Sequence, residues 1–232
     1  MKTGAIDMSI CCLCGKPIDS NAAIPDDALS MDHVPPKQFY PKELRRDRNL
    51  NLWLAPTHKH CNEDYRKDEE YFYHAMYGIV QKNSQQMGQT IFRDFARRTH
   101  KQQTPAMMRS ILKTFTTVTS GGIHLPSGIV QFSVDQYRCQ RVVIKIAQGL
   151  FYLDRCIHMP RENCKDIRIC LEESDVPELY SLSWQGADSK MVCGDVFSYR
   201  QFEIETLHLF SLLFWESLMF CCAFEDPLKC DD

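Results

Sequence analysis

The sequence predicts an α+β protein whose N-terminal third is a small metal-stabilised module followed by helices and a C-terminal α+β domain. Two observations indicate this class. A C-x2-C pair and an H-x2-C pair enclose two short strand-like runs and precede a helical pattern, and the rest of the chain mixes helical and strand-like patterns. With 232 residues, the chain has room for one large domain or two small ones.

In the N-terminal part, Ser30 to Val34 is predicted as a strand. Asn51 to Ala55 is predicted as a second strand, which Pro56 should stop because proline lacks the backbone donor. A helix is predicted from Tyr65 to Val80, because Asn62-Glu63-Asp64 supplies a cap and early acidic residues.

Residues 82–118 are predicted to form two more helices, with Ser84 and Thr104 as their N-caps. Thr119-Ser120-Gly121-Gly122 is the best candidate for a domain boundary. The predicted division is a metal-dependent module in residues 1–80, a helical connector in 81–118 and an α+β domain in 119–232.

The C-terminal part begins with a predicted strand at Ile129 to Val134, a helix from Asp135 to Asp154 and a strand at Ile167 to Leu171. No residue pattern in this part indicates a particular chemistry. Further antiparallel sheet is predicted at Ser181–Asp188, Asp195–Glu205 and Leu207–Phe224.

Composition favours a cytoplasmic protein. No run approaches the ~18 apolar residues of a membrane span, and Met1-Lys2-Thr3-Gly4 does not begin a secretory signal. The twelve cysteines are expected to be reduced, as metal ligands or small buried side chains. We therefore expect no membrane partner.

Charge is distributed unevenly. Residues 1–118 carry 17 Lys and Arg against 13 Asp and Glu, whereas residues 119–232 carry 10 against 17. The N-terminal part is therefore the expected partner of a polyanion such as nucleic acid. The basic runs at 42–48 and 93–101 fit either phosphate contacts or solvated helix faces.

The two ligand pairs predict a structural zinc site, because zinc prefers four nitrogen or sulfur ligands in a tetrahedron. His60 is an alternative to His58, and Cys12 is an alternative to Cys11; four buried side chains without a metal are the other interpretation. The predicted ligands are Cys11, Cys14, His58 and Cys61.

Asp32, His33 and Asn62 lie within or next to this motif but have no role in holding zinc. They provide a base and hard oxygen ligands, the groups that metal-dependent hydrolysis needs. An Asp-His pair elsewhere would more simply be a turn in which Asp caps the backbone. Its position between two ligand pairs favours catalysis.

The segments Cys12-Leu13-Cys14-Gly15, Asp32-His33-Val34-Pro35-Pro36-Lys37 and residues 55–62 together resemble the HNH endonuclease family, in its zinc-knuckle branch. The resemblance covers about residues 10–75. It implies a ββα-metal fold in which zinc holds the module together without touching substrate.

The resemblance also implies the catalytic roles. Asp32 and Asn62 would hold a catalytic Mg²⁺ or Mn²⁺ ion, with Asn62 where many relatives have His, and His33 would be the general base. His58 stands where the family usually has Cys. Asn51, with Asn49 as the alternative, would be the central Asn that holds the two strands in register.

Other polar residues of the module have weaker predicted roles. Glu63 and Glu69 could add a carboxylate to the ion but fit helix-surface charges better, and His74 fits a structural role. The candidates for phosphate contacts are Lys37, Arg45, Arg46, Arg48, Lys59 and Arg66.

The leading hypothesis is a metal-dependent endonuclease that cuts nucleic acid, with DNA as the expected substrate and a 5′-phosphate product as in relatives. The alternative is a zinc-stabilised module that binds nucleic acid or protein without catalysis. A third hypothesis makes residues 119–232 a sensor, or a domain that docks a regulatory protein, which restrains the nuclease in a phage-defence or mobile-element system.

Overall fold

The computed structural model describes residues 9–19, 25–47, 52–83, 85–99, 104–183, 190–193 and 196–228. Helices and two antiparallel sheets make up this part of the chain, so the predicted α+β class is confirmed. None of the helices in these ranges has the length and apolar character needed to cross a membrane. The helices are α1 (Lys42–Asp47), α2 (Lys59–Glu63), α3 (Arg66–Asn83), α4 (Gln85–Thr99), α5 (Thr104–Leu112), α6 (Gln136–Arg155) and α7 (Glu178–Ser183). The strands are β1 (Leu29–Val34), β2 (Trp53–His58), β3 (Cys164–Cys170), β4 (Lys190–Cys193), β5 (Phe197–Ile204), β6 (Leu207–Phe214) and β7 (Leu218–Glu225).

The first sheet consists of β1 and β2, which pair antiparallel with Asp32 opposite Ala55. A strand was predicted at β1, but the prediction that Pro56 stops β2 is wrong, since β2 continues through it. The Pro56 carbonyl accepts a hydrogen bond from Cys12 N and not from β1. The N and O atoms of one strand residue face the same way, so the missing N–H of Pro56 costs the sheet no bond.

Helices follow the first sheet. After the short α2, α3 continues three residues past its predicted end at Val80, and α4 and α5 correspond to the two helices predicted in residues 82–118. α5 begins at Thr104, the residue predicted as its N-cap, and therefore one residue earlier than predicted. Ser84, the other predicted cap, lies outside the described residues.

The second sheet has the strand order β3-β7-β6-β5-β4, with every neighbouring pair antiparallel. The stretch Leu207–Phe224 forms a hairpin of two strands, β6 and β7. The segment Ser181–Asp188 was predicted as sheet, but residues 181–183 end helix α7. Residues 184–188 lie outside the described residues.

The strand predicted at Ile129–Val134 is also absent from the described structure. Gln131 forms one isolated bridge with Thr116, and the neighbouring Ile129 and Val130 are exposed. A run of β-branched residues becomes a strand only where a partner strand and a core meet it, and neither does so here.

Helix α6 contacts strands of both sheets. Its N-cap Asp135 accepts a hydrogen bond from Arg138 N at 3.2 Å, and the helix follows the predicted range closely. Gly149 of α6 packs on Val34 of β1, whereas Phe151 contacts His208 of β6 with ring centroids 4.8 Å apart.

One hydrophobic core extends across the predicted domain boundaries. Val34 and Phe72 belong to the same cluster of buried residues as Phe214. Trp215 in the β6–β7 turn donates a hydrogen bond from Nε1 to the Phe39 carbonyl at 3.0 Å. The division into residues 1–80, 81–118 and 119–232 stays a prediction, because a shared core does not reveal which parts can fold alone.

Gly149 allows the close approach of α6 to β1, so Gly149→Ala should destabilise the protein. A Cβ at this position would lie 2.6 Å from Val34 Cγ2, a branched side chain in the core. Alanine should otherwise favour a helix by roughly 1 kcal/mol; we expect overpacking to outweigh this and to lower the free energy of unfolding by about 1–3 kcal/mol. Urea unfolding measures the change.

Gly121→Ala is the matched control for this prediction. Its Cβ would meet nothing closer than Thr119 Oγ1 at 3.9 Å, so its stability should stay near wild type. If Gly149→Ala were as stable as this control, the packing of α6 on β1 would be wrong.

Candidate metal centre and adjoining polar site

Four side chains with metal-binding atoms form a compact group, here called the Cys/His cluster: Cys11, Cys14, His58 and Cys61. One ligand atom from each lies within 4.8 Å of the others. The His58 Nδ1 atom is 3.3 Å from Cys14 Sγ and 3.8 Å from Cys61 Sγ. Tetrahedral bonds of about 2.0–2.3 Å to zinc separate ligand atoms by roughly 3.5 Å. The cluster could therefore hold a metal ion such as zinc, as the sequence predicted.

A tight turn supplies the first two ligands. The Cys11 carbonyl accepts a hydrogen bond from Gly15 N, and Cys11 N donates to the Lys16 carbonyl, both at 2.9 Å. Gly15 has a φ of +71°, which glycine adopts without strain. A Cβ there would also lie 2.6 Å from His158 Cδ2, so glycine fits both the turn and the packing around it.

The second pair lies where β2 passes into α2. His58 ends the strand and Cys61 is in the first turn of the helix, so both side chains face the turn that carries Cys11. The Pro17 carbonyl lies 3.0 Å from His58 Nε2 and accepts a hydrogen bond from the Nε2–H group, which leaves Nδ1 able to bind a cation. The His58 N–H also donates to Cys11 Sγ at 3.4 Å.

The two alternative ligands lie outside the cluster. Cys12 is fully buried, and its thiol does not join the group of four. His60 places Nδ1 3.0 Å from the Asp26 carbonyl and Nε2 3.2 Å from Cys61 Sγ. His60 therefore contacts one ligand from outside and stacks on the His58 ring, with centroids 5.3 Å apart.

Protonation of the cluster depends on what lies at its centre. Burial raises the pKa of the Cys61 thiol, and the neighbouring Cys11 and Cys14 thiols raise it further. A bound cation would act in the opposite sense, because it stabilises thiolates. Metal binding to this cluster should therefore release protons.

Asp32 and Asn62 converge beside the cluster, on a residue that the sequence analysis missed. The Lys145 Nζ atom of α6 is 3.0 Å from Asp32 Oδ1 and 3.1 Å from Asn62 Oδ1. It also donates a hydrogen bond to Glu69 Oε1. We call the side-chain oxygens of Asp32, Asn62 and Glu69 the oxygen cage.

The oxygen cage is almost closed to water except at Asn62, which is partly exposed. Lys145 is 1% exposed, Asp32 5% and Glu69 8%. Burial raises the pKa of both carboxyl groups, and the Lys145 ammonium opposes that shift. Burial alone would lower the pKa of Lys145, but Asp32 and Glu69 outweigh it and raise the pKa. The ammonium therefore stays charged and paired.

Neighbouring side chains hold the oxygen cage in place. Gln38 Nε2 donates to Glu69 Oε2 at 2.7 Å, and Asn62 Nδ2 lies 3.4 Å from Ser30 Oγ. The Tyr65 ring lies 5.3 Å from Lys145 Nζ, within cation–π range. Glu69, expected to be a helix-surface charge, is thus a buried member of the site.

His33 does not join the oxygen cage. It alternates with the buried Asp32 and Val34 along β1 and is itself half-buried. Burial lowers the pKa of the His33 imidazole, and the charges of Lys37 and Arg45 lower it further. The ring is therefore mainly neutral at pH 7, in the form that can accept a proton.

The remaining predicted residues separate into three groups. Glu63 is exposed and lines an open groove of about 460 Å³ with Arg66, Lys67 and two other acidic residues. His74 is buried against Tyr73 and Phe95, in agreement with the predicted structural role. Asn49, Asn51 and Arg48, and the side chain of Arg46, lie outside the described residues.

The four described candidates for phosphate contacts are exposed or partly exposed. Lys37, Lys59 and Arg66 are exposed, and Arg45 is partly exposed while its Nε donates to the Tyr40 carbonyl at 3.1 Å. Charges of this kind can position a polyanion without reading its sequence.

Comparison with protein-family models gave no match, and comparisons with curated proteins and with solved structures gave none either. The functional interpretation therefore rests on the geometry of the Cys/His cluster and the oxygen cage.

Proposed function

We propose that this protein is an HNH-type endonuclease that hydrolyses phosphodiester bonds in nucleic acid, with DNA as its substrate. One observation carries the proposal: Asp32 of β1 and Asn62 of α2 direct their oxygens at a single point beside a Cys/His cluster of zinc-like geometry. These residues are distant in sequence and carry the oxygen ligands that a hard metal ion prefers. A purely structural zinc module has no need of such a site.

The chain's own residues have separate roles in this proposal. The Cys/His cluster fixes the start of α2 relative to the loop before β1, and so sets the position of Asn62 relative to Asp32. His33 lies outside the oxygen cage but within electrostatic reach of Lys145 and Glu69. In the proposal it takes a proton from the attacking water, which requires the neutral imidazole that its lowered pKa favours. Lys37 and Arg45, whose charges reach His33, hold the phosphate backbone.

The oxygen donors suit a hard divalent ion, since Mg²⁺ and Mn²⁺ prefer carboxylate and amide oxygens. When bound, such an ion would neutralise negative charge on the scissile phosphate and the leaving 3′ oxygen. Lys145 occupies the centre of the oxygen cage, so Asp32 and Asn62 can bind the ion only after the ammonium has moved.

The second candidate is a zinc-stabilised module that binds nucleic acid or a protein without cutting. The near-complete burial of Asp32 and Lys145 favours it, because a phosphate cannot reach groups that are closed to water. Under either function, a cytoplasmic location, docking of a regulatory protein on residues 119–232 and a role in phage defence or a mobile element stay predictions.

The test is nicking of supercoiled plasmid by the zinc-loaded full chain. We expect nicking with added Mg²⁺ or Mn²⁺, and none without them. The rate should fall as the pH drops through the pKa of His33, because protonation removes the base, and the midpoint should lie below the ordinary 6.5. A divalent ion beside Asp32 would shift that midpoint further in the same direction.

Two results would count against the proposal. Plasmid binding without nicking at any pH from 5 to 9, in either metal ion, would favour the non-catalytic module. Nicking whose rate shows no fall with decreasing pH, down to the pH at which zinc is lost, would remove His33 from the role of base.

A further inference from the structure

Lys145 reaches the oxygen cage from a distant part of the chain. Its three acceptors come from β1, α2 and α3, whereas Lys145 itself belongs to α6. An ammonium group has three N–H donors, and here each has an oxygen partner. Lys145 is therefore fully satisfied in a site built from the N-terminal module.

Helix α6 is fastened on both sides of this contact. Toward its N-terminus, Arg138 Nε and Arg141 Nε pair with the Asp68 carboxylate of α3 at 2.7 and 3.1 Å. One turn beyond Lys145, Gly149 packs directly on Val34. These contacts fix the helix, so Lys145 enters the oxygen cage as a consequence of how α6 packs.

An ammonium ion and a divalent ion cannot occupy this position together. Mg²⁺ binds oxygen ligands at about 2.0–2.1 Å and would have to lie between the same oxygens that now surround Nζ. Two cations that close repel each other strongly in a buried site. With Lys145 in place, the ammonium balances one of the two carboxylate charges of the oxygen cage. Without Lys145, the two negative charges together balance the charge of a divalent ion.

We propose that Lys145 is a tethered cation that competes with a divalent metal ion for the oxygens of Asp32, Asn62 and Glu69. The ammonium fills the oxygen cage when no divalent ion is bound there, and the ion binds as Lys145 withdraws. This inference rests on the proposed function for the identity of the ion, but its test measures binding and requires no cutting.

The test is a Mn²⁺ titration of the zinc-loaded full chain, followed by the EPR signal of free Mn²⁺. Lys145→Met keeps the length of the side chain and removes its charge. In wild type, Mn²⁺ can bind only to those chains whose oxygen cage is not filled by the ammonium, and the apparent affinity is reduced in proportion to their fraction. The variant has no ammonium, so it should bind one Mn²⁺ at least about tenfold more tightly than wild type.

Two further variants test whether the gain in Mn²⁺ affinity arises at the oxygen cage. Lys165→Met removes an exposed lysine of β3, an edge strand of the second sheet, that pairs with Glu225 of β7 at 2.8 Å and has no contact with the oxygen cage among the described residues; it should bind Mn²⁺ as wild type does. Asp32→Asn added to Lys145→Met should abolish the gain, because it removes a carboxylate ligand. Equal affinities for wild type and Lys145→Met would overturn the proposal, as would a gain that survives Asp32→Asn.

A second measurement uses wild type and so does not depend on the folding of a variant. The Lys145 ammonium is buried, so its ¹⁵N-labelled Nζ resonance should be protected from exchange with water. Titration with Mg²⁺ should shift or broaden this resonance selectively among the lysines. A Lys145 resonance unchanged at saturating Mg²⁺ would contradict competition. Plasmid nicking plays no part in either readout, so loss of the proposed function would leave this result standing.

Discussion

Replacing Cys14 with alanine should abolish binding of the zinc ion that we expect in the Cys/His cluster and should destabilise the N-terminal part of the protein. The Cys14 Sγ lies 3.3 Å from His58 Nδ1, and without it only three ligands remain. Structural zinc contributes on the order of 10 kcal/mol to the folding of zinc-finger peptides. We therefore expect less than one zinc per chain by mass spectrometry, a large decrease in melting temperature and poor solubility.

Cys12→Ala and His60→Ala are matched controls, since they replace the two alternative ligands. The Cys12 thiol is buried outside the cluster, so its loss should lower stability by about 1 kcal/mol through packing while zinc is retained. His60→Ala should also retain zinc. If Cys14→Ala kept its zinc while Cys12→Ala lost it, the assignment of the ligands would be wrong.

The Cys/His cluster was predictable because metal chemistry constrains the spacing of its ligands. A C-x2-C turn and an H-x2-C strand–helix junction each place two donor atoms on one side of the backbone, and few other interactions require that arrangement. The resemblance to the HNH family, and not the ligand spacing, implied that Asp32, His33 and Asn62 would converge. Asp32 and Asn62 do meet at Lys145, whereas His33 lies outside the oxygen cage.

Lys145 was not predicted, because its contact depends on the packing of α6, 113 residues from Asp32 in sequence. The sequence did contain a signal. Lys145 stands alone within Val142-Val143-Ile144-Lys145-Ile146-Ala147, an apolar run in the middle of a predicted helix. A lysine in such a run is buried only if it has anionic or polar partners. The acidic residues of the N-terminal part, Asp32 and Glu69 among them, were candidates for these partners.

The errors in secondary structure have the same origin. Pro56 was expected to end its strand, but its nitrogen lies on the edge of β2 that faces away from β1, where no third strand pairs with β2 among the described residues. Ile129–Val134 has strand-like residues but no partner strand among the described residues. Local propensity predicts which segments can form strands, whereas non-local pairing decides which of them do.

Replacing His33 with alanine should reduce plasmid nicking by about 10²–10⁴-fold, the usual contribution of a general base. Zinc content and melting temperature should change little, because His33 is half-buried and lies outside both the Cys/His cluster and the oxygen cage. Nicking rates at saturating Mg²⁺, zinc per chain and thermal unfolding of the same preparation measure the three quantities.

His124→Ala is the control, because His124 is exposed and its backbone alone forms a bridge with Val118. It should nick plasmid at the wild-type rate. Added imidazole should partly restore nicking by His33→Ala, with the pH dependence of free imidazole replacing that of His33. Free imidazole can replace a missing base but cannot repair a damaged fold. If His33→Ala lost zinc and imidazole did not restore nicking, His33 would be a structural residue and the proposed reaction would have no base.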